Sequence, residues 1–244
     1  MHKGSSKRGR VALWALLLVT LAVFVAVRGK SLKDFIQAKY LSDIIEVVKR
    51  FPFTEENSLK EWKEKVLKGK VIYEIERGGD LSYVRAMSKK AASALYYKIA
   101  LDIRKRPVIS WRWRVDEFPK KSRPENIADK EEEDFAARVY VIFPAAFFTK
   151  SKVIEYIWSE SLPKDEAGAS GYTDNIKILV LQTGVESDWR YEKRDIYEDY
   201  VRLFGEEPKL NIGAVAFMTD ADSTKTSAVA LYDEIEMGYA NTEE

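Results

Sequence analysis

The sequence contains no cysteine among its 244 residues. This absence excludes disulfide bonds, thiolate metal sites and catalytic cysteine nucleophiles. It also excludes a small secreted domain whose stability depends on disulfides. The fold must therefore be stabilised by a hydrophobic core. Hydrophobic residues make up 46% of the chain and aromatic residues 12%, which suffices for one domain of ordinary size.

Histidine is almost absent as well. The only one is His2, which lies in a basic N-terminal tail. The rest of the chain therefore lacks the side chain that most often acts as a general base and that most often binds zinc. The G-x-S-x-G, Walker-type and dinucleotide-binding glycine motifs are also missing. These absences favour a binding or structural protein over an enzyme.

The chain lacks a large excess of either charge, with 40 basic and 39 acidic residues. Five of the basic residues lie in residues 1–28, which contain no acid, so the remainder has 35 basic and 39 acidic residues and a net charge of −4. Nucleic-acid binding requires a concentrated basic surface. We therefore expect no nucleic-acid partner.

One long hydrophobic run is present, Val11–Val27, with 17 uncharged residues. This length is at the lower limit for a helix that spans a bilayer. Residues 26–29 lack the small-residue pattern of a signal-peptide cleavage site, although a cleaved signal peptide remains the alternative. We predict a cytoplasmic tail over residues 1–10 and a single transmembrane anchor over residues 11–28. The following domain is then expected on the periplasmic or extracytoplasmic side of the cytoplasmic membrane.

Residues 29–51 show helical spacing of their apolar side chains. Leu32, Phe35, Ile36 and Tyr40 begin a stripe that continues to Phe51. The segment predicts a juxtamembrane amphipathic helix. Such a helix would either pack against its own domain or mediate self-association or contact with lipid.

Residues 52–240 show the pattern of a mainly-β domain. Eight strand-like runs are separated by glycine and proline. These runs are Val71–Glu76, Tyr83–Ser88, Leu95–Ile99, Val108–Val115, Ala137–Phe143, Ile176–Gln182, Ile212–Met218 and Val229–Met237. Val153–Ser159 and Asp195–Phe204 have helical spacing, and Gly205 is expected to end the second helix. The absence of a βαβ rhythm predicts a jelly-roll-like β-sandwich with one or two short helices.

Trp111 and Trp113 alternate with Arg112 and Arg114. In a strand this spacing places both indoles on one face and both guanidinium groups on the other. The indoles could form an aromatic platform for a ligand, or they could fill the core of the sandwich. In the second case the arginine face becomes the candidate binding surface.

Charged residues at the ends of strands provide further candidates. Asp134 and Arg138 lie where an acidic loop meets a strand, and they could form a structural pair or line a cleft. Glu192 and Arg194 are two residues apart, so they would project from one side of a strand. Their pairing is either a structural salt bridge or a ligand contact.

The segment Thr219–Thr224 has the strongest resemblance to a binding site. Asp220 and Asp222 follow an apolar strand, with hydroxyl groups next to them. Oxygen ligands at alternate positions suit calcium. The same residues also suit a turn in which aspartate side chains accept hydrogen bonds from the backbone.

Six segments together carry a resemblance to a known family. They are WRWRVD (111–116), EDFAARVYVIF (133–143), IEYIW (154–158), WRYEKRDIYEDYVRLFGEEP (189–208), GAVAFMTDADST (213–224) and AVALYDEI (228–235). Across most of residues 50–238 the chain resembles the bacterial domain-of-unknown-function family 3047. The resemblance implies an exported protein and no established activity.

The resemblance also implies a set of polar family positions. They fall on Asp134, Arg138, Glu192, Arg194, Asp220 and Asp222. Asp195 and Ser223 depart from the family, which commonly has asparagine there. The segment Tyr232–Ile235 is similar to the last strand of carbohydrate-binding jelly rolls, in which a similarly placed acid helps to hold calcium. By that fold-level analogy, Asp233 joins Asp220 and Asp222 as a candidate calcium ligand.

The leading hypothesis is a membrane-tethered module that binds a glycan or another envelope component, with a structural calcium ion as the one candidate cofactor. The alternatives are an assembly protein of the cell envelope and a glycan-acting enzyme with a carboxylate pair. The candidate cleft contains Asp134, Arg138, Glu192, Arg194, Asp220 and Asp222, with Trp111, Trp113 or Tyr172 as aromatic contacts.

Overall fold

The computed structural model describes residues 45–79, 81–147 and 150–240. The predicted tail and anchor, residues 1–28, lie outside these ranges, as does the predicted juxtamembrane helix up to residue 44. Within the described ranges, no helix is long and apolar enough to cross a membrane.

The described residues form two β-sheets. The strands are β1 (Ile45–Phe51), β2 (Lys63–Lys68), β3 (Ile72–Gly78), β4 (Leu81–Lys89), β5 (Ala92–Leu101), β6 (Pro107–Glu117), β7 (Ala137–Phe143), β8 (Lys152–Ser159), β9 (Ala167–Ser170), β10 (Thr173–Thr183), β11 (Arg190–Asp195), β12 (Ile212–Asp220) and β13 (Ser227–Ala240). One α-helix, α1 (Ile196–Phe204), and two short 3-10 helices, Ser58–Glu61 and Ile103–Lys105, complete the described elements.

Sheet A has the order β11-β6-β13-β4-β3, and β1 also pairs with β13. The long strand β13 has room for both, because β4 pairs with Ser227–Tyr232 and β1 pairs with Ile235–Ala240. Sheet B has the order β2-β5-β12-β7-β8-β10-β9. Its pairs are antiparallel except for β8 and β10, which are parallel.

The predicted mainly-β sandwich is confirmed, and each of the eight predicted strands is present. The helix predicted at Asp195–Phe204 is also present as α1. The Asp195 side chain caps its start by accepting a hydrogen bond from the Glu198 backbone N–H (3.0 Å). Gly205 ends it with φ +69°, a left-handed conformation that glycine adopts without the steric penalty of a side chain.

Two helix predictions are wrong. Val153–Ser159 lies in β8, between β7 and β10. Both of its faces carry large apolar side chains, since Tyr156 and Trp158 enter the main core and Ile157 enters a second cluster, although Glu155 also lies on the outer face. A run that is apolar on both faces does not distinguish a strand from a helix by periodicity. Residues 45–51 likewise form β1, where Val47 and Val48 belong to a β-branched run that favours a strand.

The main core lies between the two sheets and is rich in aromatic rings. Trp111 contacts Trp113 edge-on at 5.3 Å between ring centroids, and it contacts Tyr156 at 5.4 Å. Trp111 and Trp113 are both 0% exposed, so the core interpretation of this pair is correct and the aromatic platform is not formed.

A second hydrophobic cluster lies on the outer face of sheet B. Ile157, Ile178 and Val180 project from β8 and β10. The β6–β7 connection covers them with Ile127 and Phe135. This cover lies over the β8–β10 half of the face and leaves Tyr96 of β5 and Tyr140 of β7 partly exposed.

Candidate functional site

A row of three side chains crosses the outer face of sheet B. Ala216 of β12 lies directly opposite Tyr96 of β5 on one side and Tyr140 of β7 on the other. Val139 and Val141 enter the core, so strand alternation places Tyr140 on the outer face. The two tyrosines are therefore separated by one strand that carries only a methyl group.

The neighbouring row of side chains also has an alanine at its centre. Ala214 lies opposite Lys98 of β5 and Ile142 of β7. Ala214 and Ala216 are 9% and 5% exposed, whereas Tyr96 and Tyr140 are partly exposed. With adjacent strands about 4.8 Å apart, the strands that carry the tyrosines are about 10 Å apart. We call this feature, formed by Tyr96, Tyr140, Ala214 and Ala216, the sheet B groove.

Arg138 lies two residues before Tyr140, on the same face, at one end of the groove. It is 4% exposed. Its guanidinium group donates to Glu155 at 2.6 Å and to Asp220 at 2.5 Å. It also donates to the backbone carbonyl of Glu133 at 3.1 Å. Because its donors are taken by these buried acceptors, Arg138 acts first as a structural cation.

The ionisation of this cluster depends on burial. Burial opposes the charge of Arg138, but the carboxylates of Asp220 and Glu155 raise its pKa well above the usual value. Burial raises the pKa of Asp220 to about 8, against the opposing effect of Arg138 and with the help of the nearby charge of Asp134. Burial also raises the pKa of Glu155, which Arg138 again opposes. One cation therefore balances several acids in an environment that disfavours charge.

Asp134 organises the turn that follows β12. It is 0% exposed, and its carboxylate accepts the backbone N–H groups of Thr224 at 2.6 Å and Ser223 at 3.3 Å. Asp220 in return accepts the backbone N–H of Phe135 at 3.0 Å. These bonds join the segment before β7 to the segment after β12. A turn does follow β12, but its Ser223 and Thr224 amides donate to Asp134 and not to the predicted acceptors Asp220 and Asp222.

The same region brings three carboxylates together. One oxygen from each of Asp134, Asp220 and Asp222 lies within 4.8 Å of the other two. Each carboxylate oxygen can accept more than one bond, so the backbone amides do not use all of the lone pairs. Asp222 is partly exposed and pairs with Lys68 at 3.3 Å. This donor set has the oxygen chemistry that calcium prefers.

Tyr172 lies beside this cluster and is 63% exposed. Its backbone N–H donates to the hydroxyl of Ser170, which donates in turn to the Glu133 carboxylate. Its own hydroxyl donates to the carbonyl of Lys130 at 2.9 Å. The structure thus brings together five of the predicted site residues. They are Asp134, Arg138, Asp220, Asp222 and Tyr172.

Glu192 and Arg194 lie elsewhere, so the single predicted cleft is not formed. Glu192 accepts hydrogen bonds from the indole of Trp113 at 3.3 Å and from Gln182 at 2.6 Å. Burial raises the pKa of Glu192. Arg194 pairs with Asp199, which also accepts the hydroxyl of Tyr156. These contacts lie on the inner side of sheet B, whereas Arg138 lies on its outer side.

The arginine face of β6 is also a paired surface. Arg112 donates to Asp233 at 2.5 Å, and Arg114 donates to Asp116 at 2.8 Å. The guanidinium groups of Arg112 and Arg114 lie 6.0 and 5.8 Å from the centroid of the Trp189 ring. Asp233 is on the outer face of sheet A, with the sandwich between it and Asp220. Asp233 therefore does not lie with Asp220 and Asp222 as predicted, and the third carboxylate beside them is that of Asp134.

The sequence interpretation missed Tyr96, Tyr140 and Ala216. Each lies in a correctly predicted strand, and alternation from the buried valines of β7 could have placed Tyr140 on the outer face. The cross-strand register that sets Ala216 between the two rings has no signal in a single sequence. The groove exists because β12 lies between β5 and β7 in sheet B.

The comparisons with known proteins identify the family. A family model described as a protein of unknown function, DUF3047, matches residues 60–236, which is more than half of the chain. The chain belongs to the DUF3047 family. No curated protein matches it.

Solved structures resemble this DUF3047 chain only distantly. The cellulose-induced protein Cip1 has a TM-score of 0.42 and 8% identity, with 78% of this chain and 96% of that chain covered. A cellulase derived from Cel12A of Rhodothermus marinus has a TM-score of 0.42 and 9% identity, with 72% and 95% covered. The glycoside hydrolase domain of Endo-D from Streptococcus pneumoniae R6 has a TM-score of 0.36 and 9% identity, with 75% of this chain covered, and this chain spans 22% of its length. At these values the resemblances carry no argument about function.

Proposed function

We propose that this domain binds a glycan chain in the sheet B groove. The observation that carries the proposal is the row in which Ala216 separates Tyr96 from Tyr140. Sugar rings have apolar C–H faces, and packing such a face on an aromatic side chain removes apolar surface from water. The alanine floor lets a ring approach the sheet, while polar groups at the rim are available to its hydroxyl groups.

Binding is favoured over hydrolysis by the state of the nearest acids. Glu155 lies directly opposite Tyr140, and Asp220 lies at the end of the groove. Both carboxylates are buried and paired with Arg138. Hydrolysis of a glycoside requires a carboxyl pair that faces the scissile bond from two sides. The groove instead offers aromatic rings and a small floor, which suits a binding module.

The proposal includes a location. The uncharged run Val11–Val27 would hold the domain at the cytoplasmic membrane, with the groove on the extracytoplasmic side. A tethered binding module keeps its ligand close to the membrane. The ligand is accordingly proposed to be a glycan or a glycan-bearing component of the cell envelope.

The proposal also keeps a structural calcium ion, with Asp134, Asp220 and Asp222 as its ligands. Support comes from the donor chemistry and from the mutual proximity of buried carboxylates, which a divalent cation would relieve. The ion would stiffen the turn after β12, next to Tyr172 and the end of the groove.

The test is a binding measurement on the full chain in micelles of a non-ionic detergent. Titration calorimetry with a panel of envelope and plant polysaccharides should find at least one ligand. Tyr96→Ala should then weaken binding about tenfold, which corresponds to about 1.4 kcal/mol for one aromatic contact. The matched control is Tyr83→Ala, because Tyr83 is a partly exposed tyrosine on the outer face of sheet A. Failure of every polysaccharide to bind would overturn the proposal.

A further inference from the structure

Three lysines share the outer face of sheet B with the groove. Lys63 of β2 lies directly opposite Tyr96, and Lys65 lies opposite Ala94 of β5. Lys98 of β5 lies opposite Ala214, in the floor of the groove. Residues directly opposite in an antiparallel pair project from the same face. All three side chains therefore line the β2–β5 border of the groove, and all three residues are exposed.

These lysines differ from their neighbours in their pairing. Lys68 of the same strand pairs with Asp222 at 3.3 Å, and Lys70 pairs with Glu64 at 3.8 Å. Lys63, Lys65 and Lys98 form no ion pair with any residue of the described ranges. The β2–β5 border of the groove therefore has three positive charges that are not paired with any acid of the described residues.

The opposite border of the groove does not cancel this charge. Glu155 and Asp220 are both paired with the guanidinium group of Arg138, and the partly exposed Asp222 at the same end is paired with Lys68. Glu155 is 1% exposed and Asp220 is 3% exposed, so neither carboxylate faces a ligand in solvent. The three lysines are therefore solvent-exposed charges beside the groove that no described acid pairs with.

We propose that the glycan bound in the groove is polyanionic and carries carboxylate or sulfate groups. This inference rests on the proposed glycan-binding function and names its ligand class. Lys63 and Lys65 lie two residues apart on β2, which separates them by about 6.5 Å along the strand, and Lys98 lies two residues from Tyr96, the partner of Lys63, on β5. An extended anionic chain can run over the tyrosines and place its acidic groups against this border. Each contact is a charge-assisted hydrogen bond in a solvated site, so its strength depends on salt.

The test compares chemically matched polysaccharides on the full chain in non-ionic detergent micelles. The probes are polygalacturonate with its methyl ester, and dextran sulfate with dextran, because each pair differs only in its anionic groups. We expect at least one anionic form to bind at least about tenfold more tightly than its neutral form, and its binding to weaken as salt rises.

Two triple variants test the residues. Lys63→Gln, Lys65→Gln and Lys98→Gln together should weaken binding of the anionic form about tenfold and reduce its salt dependence. The control removes the same charge at exposed lysines outside the groove, with Lys89→Gln, Lys120→Gln and Lys209→Gln together. The control should leave binding unchanged.

The outcomes separate this inference from the function beneath it. Equal binding of the neutral and anionic forms, lost in Tyr96→Ala, would overturn the polyanionic ligand and leave the glycan-binding function standing. A third outcome is that the protein binds anionic lipid vesicles as well as the anionic polysaccharides, and that Tyr96→Ala leaves both kinds of binding intact. This outcome would overturn the polyanionic glycan as ligand in favour of a lipid-facing surface. Absence of binding to all four probes and to the wider panel would overturn both.

Discussion

Tyr96 and Tyr140 are both directly opposite Ala216, so two aromatic rings flank one methyl group across three strands. The relationship joins residues from the first and second halves of the chain, and it depends on β12 inserting between β5 and β7. The tyrosines at the two borders of the groove are partly exposed, whereas the nearby charges of Arg138, Glu155 and Asp220 are buried. On this one face of sheet B, the tyrosines are therefore the proposed ligand contacts, and the neighbouring charged residues have a structural role.

The width of the groove should limit binding. Ala216→Leu adds a branched side chain between the two rings on the outer face of sheet B, so it should block a sugar ring. We expect binding of the best polysaccharide from the panel to weaken about tenfold or more. Calorimetry gives the affinity, and circular dichroism checks that the unfolding midpoint is unchanged. Unaltered affinity in a folded variant would place the ligand elsewhere.

Arg138 should be required for stability. Arg138→Met leaves Glu155 and Asp220 buried without their cation, and breaking a buried charge network in this way costs about 3–5 kcal/mol. The matched control is Arg104→Met, because Arg104 is an exposed arginine that pairs with Asp102 at the surface. Solvent screens an exposed pair, so the control should change little. Denaturant unfolding of both variants checks the contrast, and equal effects would show that the network is not structural.

The two core tryptophans should respond differently to the same substitution. The indole N–H of Trp113 donates to Glu192 at 3.3 Å, whereas the indole N–H of Trp111 is buried without a hydrogen-bond partner among the described residues. Trp113→Phe removes a donor from a buried carboxyl group, at a cost of about 1–3 kcal/mol in addition to lost packing. Trp111→Phe loses packing alone. Denaturant unfolding should therefore find Trp113→Phe less stable than Trp111→Phe, and the reverse order would contradict these contacts.

Local pattern accounts for much of what could be predicted from the sequence. The eight strands were recognisable because alternation and breakers act within a few residues, and α1 was recognisable from its caps at Asp195 and Gly205. Trp111 and Trp113 were correctly assigned to one face. The strand β8 is not recognisable from the sequence because both of its faces carry large apolar side chains, so Tyr156 and Ile157 give no alternation of polarity.

Some residues of the candidate site could be predicted from the sequence to lie together, and others could not. Asp134, Arg138 and Asp220 were expected together and are together. Glu192 was placed with them, but its strand is at the edge of sheet A and its side chain enters the sandwich. Which face a polar side chain occupies, and which strand lies next to it, follows from the global strand order. The residues of the groove depend on that order entirely.

The stability of the domain should depend on the protonation of Asp233. Burial raises the pKa of this carboxyl group to about 6, although Arg112 opposes the shift and Glu234 adds to it. An acid whose pKa is raised on folding binds its proton more tightly in the folded state. Its contribution to stability is therefore fully present below about pH 4 and is lost as the pH rises through about 6.

Asp233→Asn removes this titration. As the pH rises from 4 to 7, the unfolding free energy of the wild type should fall by about 2–3 kcal/mol relative to that of the variant. Asp102→Asn provides the control, because hydrogen bonds from Arg104 lower the pKa of Asp102, so its titration lies below this pH range and its difference from the wild type should stay nearly constant. Urea unfolding over this pH range is the measurement, and a difference for Asp233→Asn that is independent of pH would contradict the assignment.

Calcium should stabilise the fold if Asp134, Asp220 and Asp222 bind it. A ligand that binds only the folded state at 100 times its Kd adds about 2.7 kcal/mol of stability. We expect millimolar calcium to raise the unfolding midpoint of the wild type and a chelator to reverse the effect. Asp222→Asn, which changes the partly exposed ligand, should abolish the response. Asp116→Asn, an exposed acid on sheet A, should retain it. A midpoint that calcium does not change would remove the ion from the proposal.

The most direct measurement of the central claim is the affinity of the full chain for a polysaccharide when Tyr96 or Tyr83 is changed to alanine. The proposed function predicts that Tyr96→Ala weakens binding about tenfold while Tyr83→Ala leaves it unchanged, because only Tyr96 faces the sheet B groove. Equal affinity of the wild type and Tyr96→Ala, with both proteins folded, would contradict glycan binding in this groove.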